Sequence, residues 1–105
     1  MSVSLGFILV AAAEAFDVSV IELKSPSKAR RHFRARVAFV ALALAHTPAT
    51  HAVIGRVLHR NAKTIGNARD ALRDEIEDHD FFYRAALAEA AILEFQKNHP
   101  EQING

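Results

Sequence analysis

The sequence predicts an all-α fold, a helical bundle containing a helix-turn-helix, and three observations carry that expectation. Apolar residues recur at helical spacing over most of the chain. Half of the 105 residues are hydrophobic, against only four Gly and three Pro, a balance that favours helix over strand. Pro26 and Pro48 fall between the periodic segments and punctuate them. The length implies one domain, with a real core and little stability to spare. No Cys is present, so there is neither a disulfide framework nor a Cys-containing zinc site.

Residues 4–16 read as an amphipathic helix with Leu5, Ile8, Leu9, Ala12 and Phe16 on one face. Asp17 is placed to cap a short second segment carrying Val18, Val20 and Ile21. Residues 24–27 form a loop, and Ser27 is placed to cap a helix over residues 28–45 with the stripe Phe33, Val37, Val40, Ala41 and Leu44. Thr47 and Pro48 end it. A short helix then starts near Thr50 and carries Val53, Ile54, Val57 and Leu58. After a tight turn at His59 and Arg60, Asn61 caps a helix to about residue 77 with the stripe Ile65, Ala68, Leu72 and Ile76. The last helix spans residues 80–97, with Phe81, Ala85, Ala88, Ile92 and Phe95 in line, packed against the first. The domain is thus residues 1–97, followed by a polar tail at 98–105. The apolar run at residues 5–13 lacks the basic start of a signal peptide, and no stretch reaches the ~20 apolar residues of a spanning helix. A protein of the cytoplasm, associated with the nucleoid, is expected.

The net charge of +1 hides a segregation. Residues 23–69 hold ten basic residues and no acid, and nine of the twelve acids lie from Asp70 onward. A sustained basic field attracts polyanions. Arg30, Arg31, His32 and Arg34 crowd the first turns of the third helix, where cations oppose the positive end of the helix dipole. A local penalty of that kind suggests phosphate binding. The acidic cluster Asp74, Glu75, Glu77, Asp78 and Asp80 reads as a solvated helix end that would repel DNA from its side.

Residues 53–69 have the layout of a DNA-reading helix-turn-helix. Gly55 is the small residue needed where two helices cross closely, and Ile54, Leu58, Ile65 and Ala68 flank the crossing. Arg60, Asn61, Lys63, Thr64 and Asn67 offer donors at the exposed start of the second helix. His59 stands where many such motifs place Gly in a left-handed turn, a conformation His adopts at a cost. An ordinary helical hairpin with a solvated polar face gives the same pattern, and the acid-free surroundings favour the DNA-reading alternative.

Over residues 12–76, and more faintly to 93, the sequence resembles the C-terminal DNA-binding domain of DnaA, the bacterial replication initiator. Ala13-Glu14-Ala15-Phe16 and residues 18–23 are similar to its first two helices. Residues 25–36 resemble its basic loop, residues 35–43 its long helix, and Ile54-Gly55 with Lys63-Thr64 its signature. The resemblance implies a Trp-repressor-like helical bundle, with a basic-loop arginine in the minor groove and the helix after the turn in the major groove. By position, Arg34 matches that arginine, and Thr64 a threonine that contacts DNA. Ala62, Lys63 and Ile65 depart from the family at residues that specify the initiator's box, and Ala35 replaces a proline. The glycines at 6, 55, 66 and 105 are too scattered for a phosphate-cradling loop, so no ATP-binding module is expected. The resemblance points to a stand-alone DnaA-like regulator, bacterial or prophage-like, of the kind seen in gene transfer agent activators.

The expected function is sequence-specific binding of double-stranded DNA in transcription regulation. Lys28, Arg30, Arg31 and Arg36 would contact phosphates, and Arg34, Asn61, Lys63, Thr64 and Asn67 would read sequence, with Arg60 beside them. RNA polymerase, another regulator and a second copy of the chain are the other partners considered. The six His have no metal-ligand spacing and read as surface or phosphate-contacting residues. No metal, cofactor or enzyme activity is expected, since no nucleophile, base and orienter can be traced. The rival reading is a protein-interaction adaptor or anti-regulator binding through the apolar last helix, where Phe82, Tyr83, Leu87 and Leu93 exceed what one buried stripe needs.

Overall fold

The structure, a computed structural model, describes residues 3–99. Six helices form, and no strand occurs among the described residues. They are α1 (Leu5–Ala15), α2 (Val20–Lys24), α3 (Arg30–His46), α4 (His51–Leu58), α5 (Ala62–Glu75) and α6 (His79–Asn98). Of the expected polar tail, Asn98 closes α6, and residues 100–105 lie outside the described residues.

α1 packs against α6, α4 packs against α5, and α3 touches α1, α5 and α6. α3 is therefore the axis of the bundle. Of its predicted stripe Val37 and Val40 are buried and Phe33, Ala41 and Leu44 only partly so, while Ala35, Ala38, Phe39, Leu42 and Ala43 join the first two in a buried belt. A helix apolar on most sides belongs in an interior. The pairing of α1 with α6 rests on tilted aromatic pairs, Phe7 with Phe95 at 4.6 Å and Phe16 with Phe81 at 5.4 Å between centroids. Arg84 adds a hydrogen bond to the Ala15 carbonyl at the end of α1.

The caps differ from expectation at two places. Asp17 does not cap the second helix. It ends the first, in the left-handed region at φ 56°, while the Val18 N–H bonds the Ala13 carbonyl and the Asp17 N–H that of Glu14. Ser19 caps α2 instead. Its hydroxyl accepts from the Glu22 N–H at 3.0 Å, and the Glu22 carboxylate accepts from the Ser19 N–H at 2.8 Å. That register buries Leu23 and leaves Ile21 81% exposed. Nor does Ser27 cap α3, which starts at Arg30 after Ala29 with no side-chain cap. The Ser27 hydroxyl accepts from the Ala29 N–H and meets the His32 ring.

The junction of α4 and α5 forms where expected. Thr50 caps α4, Asn61 caps α5, and His59 between them is left-handed at φ 58°. α5 stops at Glu75, so Ile76 falls outside its stripe and stays partly exposed. Gly55 has a different purpose from the predicted helix crossing. The turn folds back so that the Arg60 N–H bonds the Gly55 carbonyl at 2.7 Å, and a Cβ on Gly55 would overlap the Arg60 carbonyl oxygen. Gly66 sits in an open position, where a Cβ would make only ordinary contact with the His51 ring at 3.7 Å. Gly55→Ala is expected to lower stability by about 1–3 kcal/mol through overpacking. Gly66→Ala is expected to raise it by about 0.5–1 kcal/mol through helix propensity. Urea melts of the two variants check this contrast.

Candidate nucleic-acid interface

The basic residues nominated from sequence divide into two groups in space. Arg36, in the second turn of α3, is 7% exposed. Its Nε donates to the Leu23 carbonyl at 2.9 Å and its Nη1 to that of Ser27 at 2.7 Å. Its Nη2 donates to the carbonyls of Glu22 at 3.0 Å and Ser25 at 2.9 Å. These carbonyls lie at the end of α2 and in the following loop, where helical N–H partners run out, and only that of Glu22 also takes the Ser25 N–H and hydroxyl. Burial, and then the nearby Arg60 guanidinium, push its pKa below the usual arginine value. Arg60 reaches the same loop from the α4–α5 turn, donating to Ser25 at 2.6 Å and to the Leu58 carbonyl at 2.8 Å. Arg36, expected as a phosphate contact, is therefore a brace whose three guanidinium nitrogens all serve backbone carbonyls.

Arg30, Arg31 and Arg34 face carboxylates. Glu75, itself 7% exposed, takes Arg30 at 3.0 Å and stands 3.7 Å from the Nε of Arg34. Arg34 also reaches Asp78 at 3.1 Å and Asp80 at 3.2 Å, with its guanidinium 5.8 Å from the centre of the Phe81 ring. Its buried Nε has no hydrogen-bond partner. Arg31 pairs with Glu22 at 3.1 Å. The acidic cluster is thus more than a solvated helix end. It neutralises the uncapped start of α3, and the dipole penalty that suggested phosphate binding is answered within the fold. Arg34, matched by position to a minor-groove arginine, is held by three carboxylates.

His32 is also placed otherwise than expected. It is buried, with Nδ1 2.7 Å from the Ser27 hydroxyl and Nε2 3.0 Å from the Glu22 carboxylate. This serine–imidazole–carboxylate row was not legible in the sequence, because its members lie on three different segments. The row ties α2 and the loop to α3.

The second group surrounds a groove of about 790 Å³ between the α2–α3 loop and the start of α5. Lys28 and Arg36 stand on the loop side, and Arg60, Thr64 and Asn67 on the other. Lys24 and His59 complete the rim; His59 was expected only among the surface or phosphate-contacting histidines, and Lys24 was given no site role. No local signal separates them from other polar surface residues. No carboxylate among the described residues lines the groove. Lys24, Lys28 and Lys63 form no ion pair with the described residues. Asn61 is exposed but holds the Thr64 N–H at 2.9 Å and its hydroxyl at 3.0 Å, so both act first as the cap of α5. Lys63 and Asn67 are exposed on the first two turns of α5. The arrangement offers lysines without ion pairs beside polar side chains on a helix start, a geometry suited to anions.

No protein-family model matches this chain, and no curated protein does.

Two outcomes follow from these assignments. Arg36→Ala is expected to lower stability by about 2–5 kcal/mol by stranding carbonyls, whereas Lys28→Ala stays within about 0.5 kcal/mol. Chemical denaturation of each variant tests the division between brace and free cation. The second outcome concerns acid. The Phe81 N–H, then Arg34, hold Asp78 below its ordinary value of 3.8, and the Ser19 N–H, then His32, hold Glu22 below 4.5. A depressed carboxylate stabilises fully above its unfolded-state value, and that contribution is lost as pH falls through the folded-state value. Stability is therefore expected to drop on acidification below about pH 4.5. Asp78→Asn, which preserves the cap, should flatten that slope. A slope identical to the parent's would show that Asp78 does not contribute.

Proposed function

We propose that this chain binds duplex DNA sequence-specifically and acts as a transcription regulator. The observation that carries the reading is the carboxylate-free groove, with free lysines on its loop wall and the polar start of α5 on its other wall. α5 would enter the major groove, where Lys63 and Asn67 can address base edges. Lys24 and Lys28 would take backbone phosphates beside it. Arg30 and Arg31 remain exposed and can add to the field, and Arg34 and Arg36 are set aside because their donors serve the fold. The resemblance to the DnaA DNA-binding domain supports the same orientation. Ala62, Lys63 and Ile65 argue for a target other than the initiator's box.

A second reading is favoured by one observation. Phe82, Tyr83, Leu87 and Leu93 of α6 are all about half exposed or more, which is the profile of a protein-binding helix face. Under that reading the chain is an adaptor or anti-regulator. It would shift no duplex, and its complex would be insensitive to salt.

Selection of bound sequences from a random duplex pool, followed by titration of the selected site, decides between them. Lys63→Ala is expected to relax preference at one base position by about 1–3 kcal/mol. Lys28→Ala is expected to weaken all sequences alike and to reduce the logarithmic salt slope by about 1. Unchanged base preference in the first variant sinks the recognition assignment, and a flat salt dependence of the parent sinks the phosphate one.

A further inference from the structure

The groove beside α5 has a property that phosphate binding does not require. Beneath its cationic rim lies an apolar floor made by Phe33, Leu58, Ile65 and Ala68. A DNA backbone offers charge and hydrogen-bond acceptors, and it has nothing to set against such a floor. The volume of about 790 Å³ lies in the range of small-molecule sites, which are lined mainly by apolar side chains with a few polar groups placed to orient the ligand. The polar groups here carry one sign. Lys24, Lys28, Arg36 and Arg60 line the groove, and no carboxylate does. Arg36 and Arg60 are held in place by the loop carbonyls, and the two lysines are free to close on a ligand.

We propose that this groove binds a small amphipathic anion, an aromatic or branched carboxylate. Its apolar body rests on the partly exposed Phe33, with Leu58, Ile65 and Ala68 buried behind it, and its head group meets Lys24, Lys28 and Arg60. The body gains by leaving water, and the head gains charge-assisted hydrogen bonds at the rim. A neutral molecule of the same shape keeps the first gain and loses the second. A consequence, which rests on the DNA-binding reading, is competition. Ligand and duplex draw on the same lysines, and the ligand covers Thr64 and Asn67, so its binding releases DNA.

The test uses the full chain and anilinonaphthalene sulfonate, an amphipathic anion whose fluorescence rises in apolar surroundings. Saturable binding is expected, with displacement by 1-naphthoate but not by the neutral naphthalene methanol. Lys28→Glu and Asn67→Phe, which reverse a rim charge and fill the groove, are each expected to weaken binding by about tenfold, while circular dichroism confirms the fold. Phe82→Ser, on the exposed face of α6, is expected to leave binding unchanged. No saturable binding, equal displacement by the neutral compound, or a loss confined to Phe82→Ser would each overturn the proposal. A parallel arm follows a selected duplex by anisotropy, where 1-naphthoate is expected to raise the apparent Kd. A chain that binds the probe but no duplex keeps this site and ends the DNA reading. A chain that binds duplex but not the probe does the reverse.

Discussion

The groove between the α2–α3 loop and the start of α5 hangs on one guanidinium. Arg36 rises from α3 and donates to the carbonyls of Glu22 and Leu23 at the end of α2 and of Ser25 and Ser27 in the loop that follows. Backbone groups taken out of water must be paired, and a planar fork with several donors can pair a group of converging carbonyls where a point charge cannot. Arg60 fastens the α4–α5 turn to the same loop through Ser25. Two segments far apart in sequence thereby become the walls of one groove. Lys24 at the end of α2 and Lys28 on the loop inherit their positions from a buried arginine.

The charge pattern shows how distance along the chain misleads. Residues 23–69 are free of acid, yet Arg30 and Arg34 face Glu75, Asp78 and Asp80, and Arg31 faces Glu22. Arg30 and Arg34 are neutralised by the junction of α5 and α6, and Arg31 by Glu22 of α2. The electropositive surface that remains is smaller and includes Lys24, Lys28, Arg56 and Lys63. It is also more specific in place, because those side chains have no carboxylate to lean on.

The two ends of α3 divide the labour of the bundle. Its N-terminal turns carry the brace and the ion-pair cluster, and its later turns are buried among α1, α5 and α6. The exposed apolar residues of α6 lie on the side of that helix turned away from α1, since Phe81, Ala88 and Ile92 fill the packed side. Any partner of α6 would meet a surface separate from the residues that line the groove.

The sequence by itself determined the six helices, the start of the fourth near Thr50, the cap residue Asn61, and the left-handed turn at His59. Each of these depends on interactions within about four residues, as periodicity and capping do. It erred where two local choices were nearly equal, as with Asp17 against Ser19 and Ser27 against an uncapped start. The wide burial of α3 was partly legible in its apolar content, but Phe39 could not be distinguished from a surface residue until both faces had neighbours. Tertiary structure alone decided which arginines are free. Arg30 meets Glu75 45 residues away, and Arg36 meets Leu23 13 residues away. A donor's partner over such distances is set by how the helices pack, and no pattern of neighbouring residues encodes it.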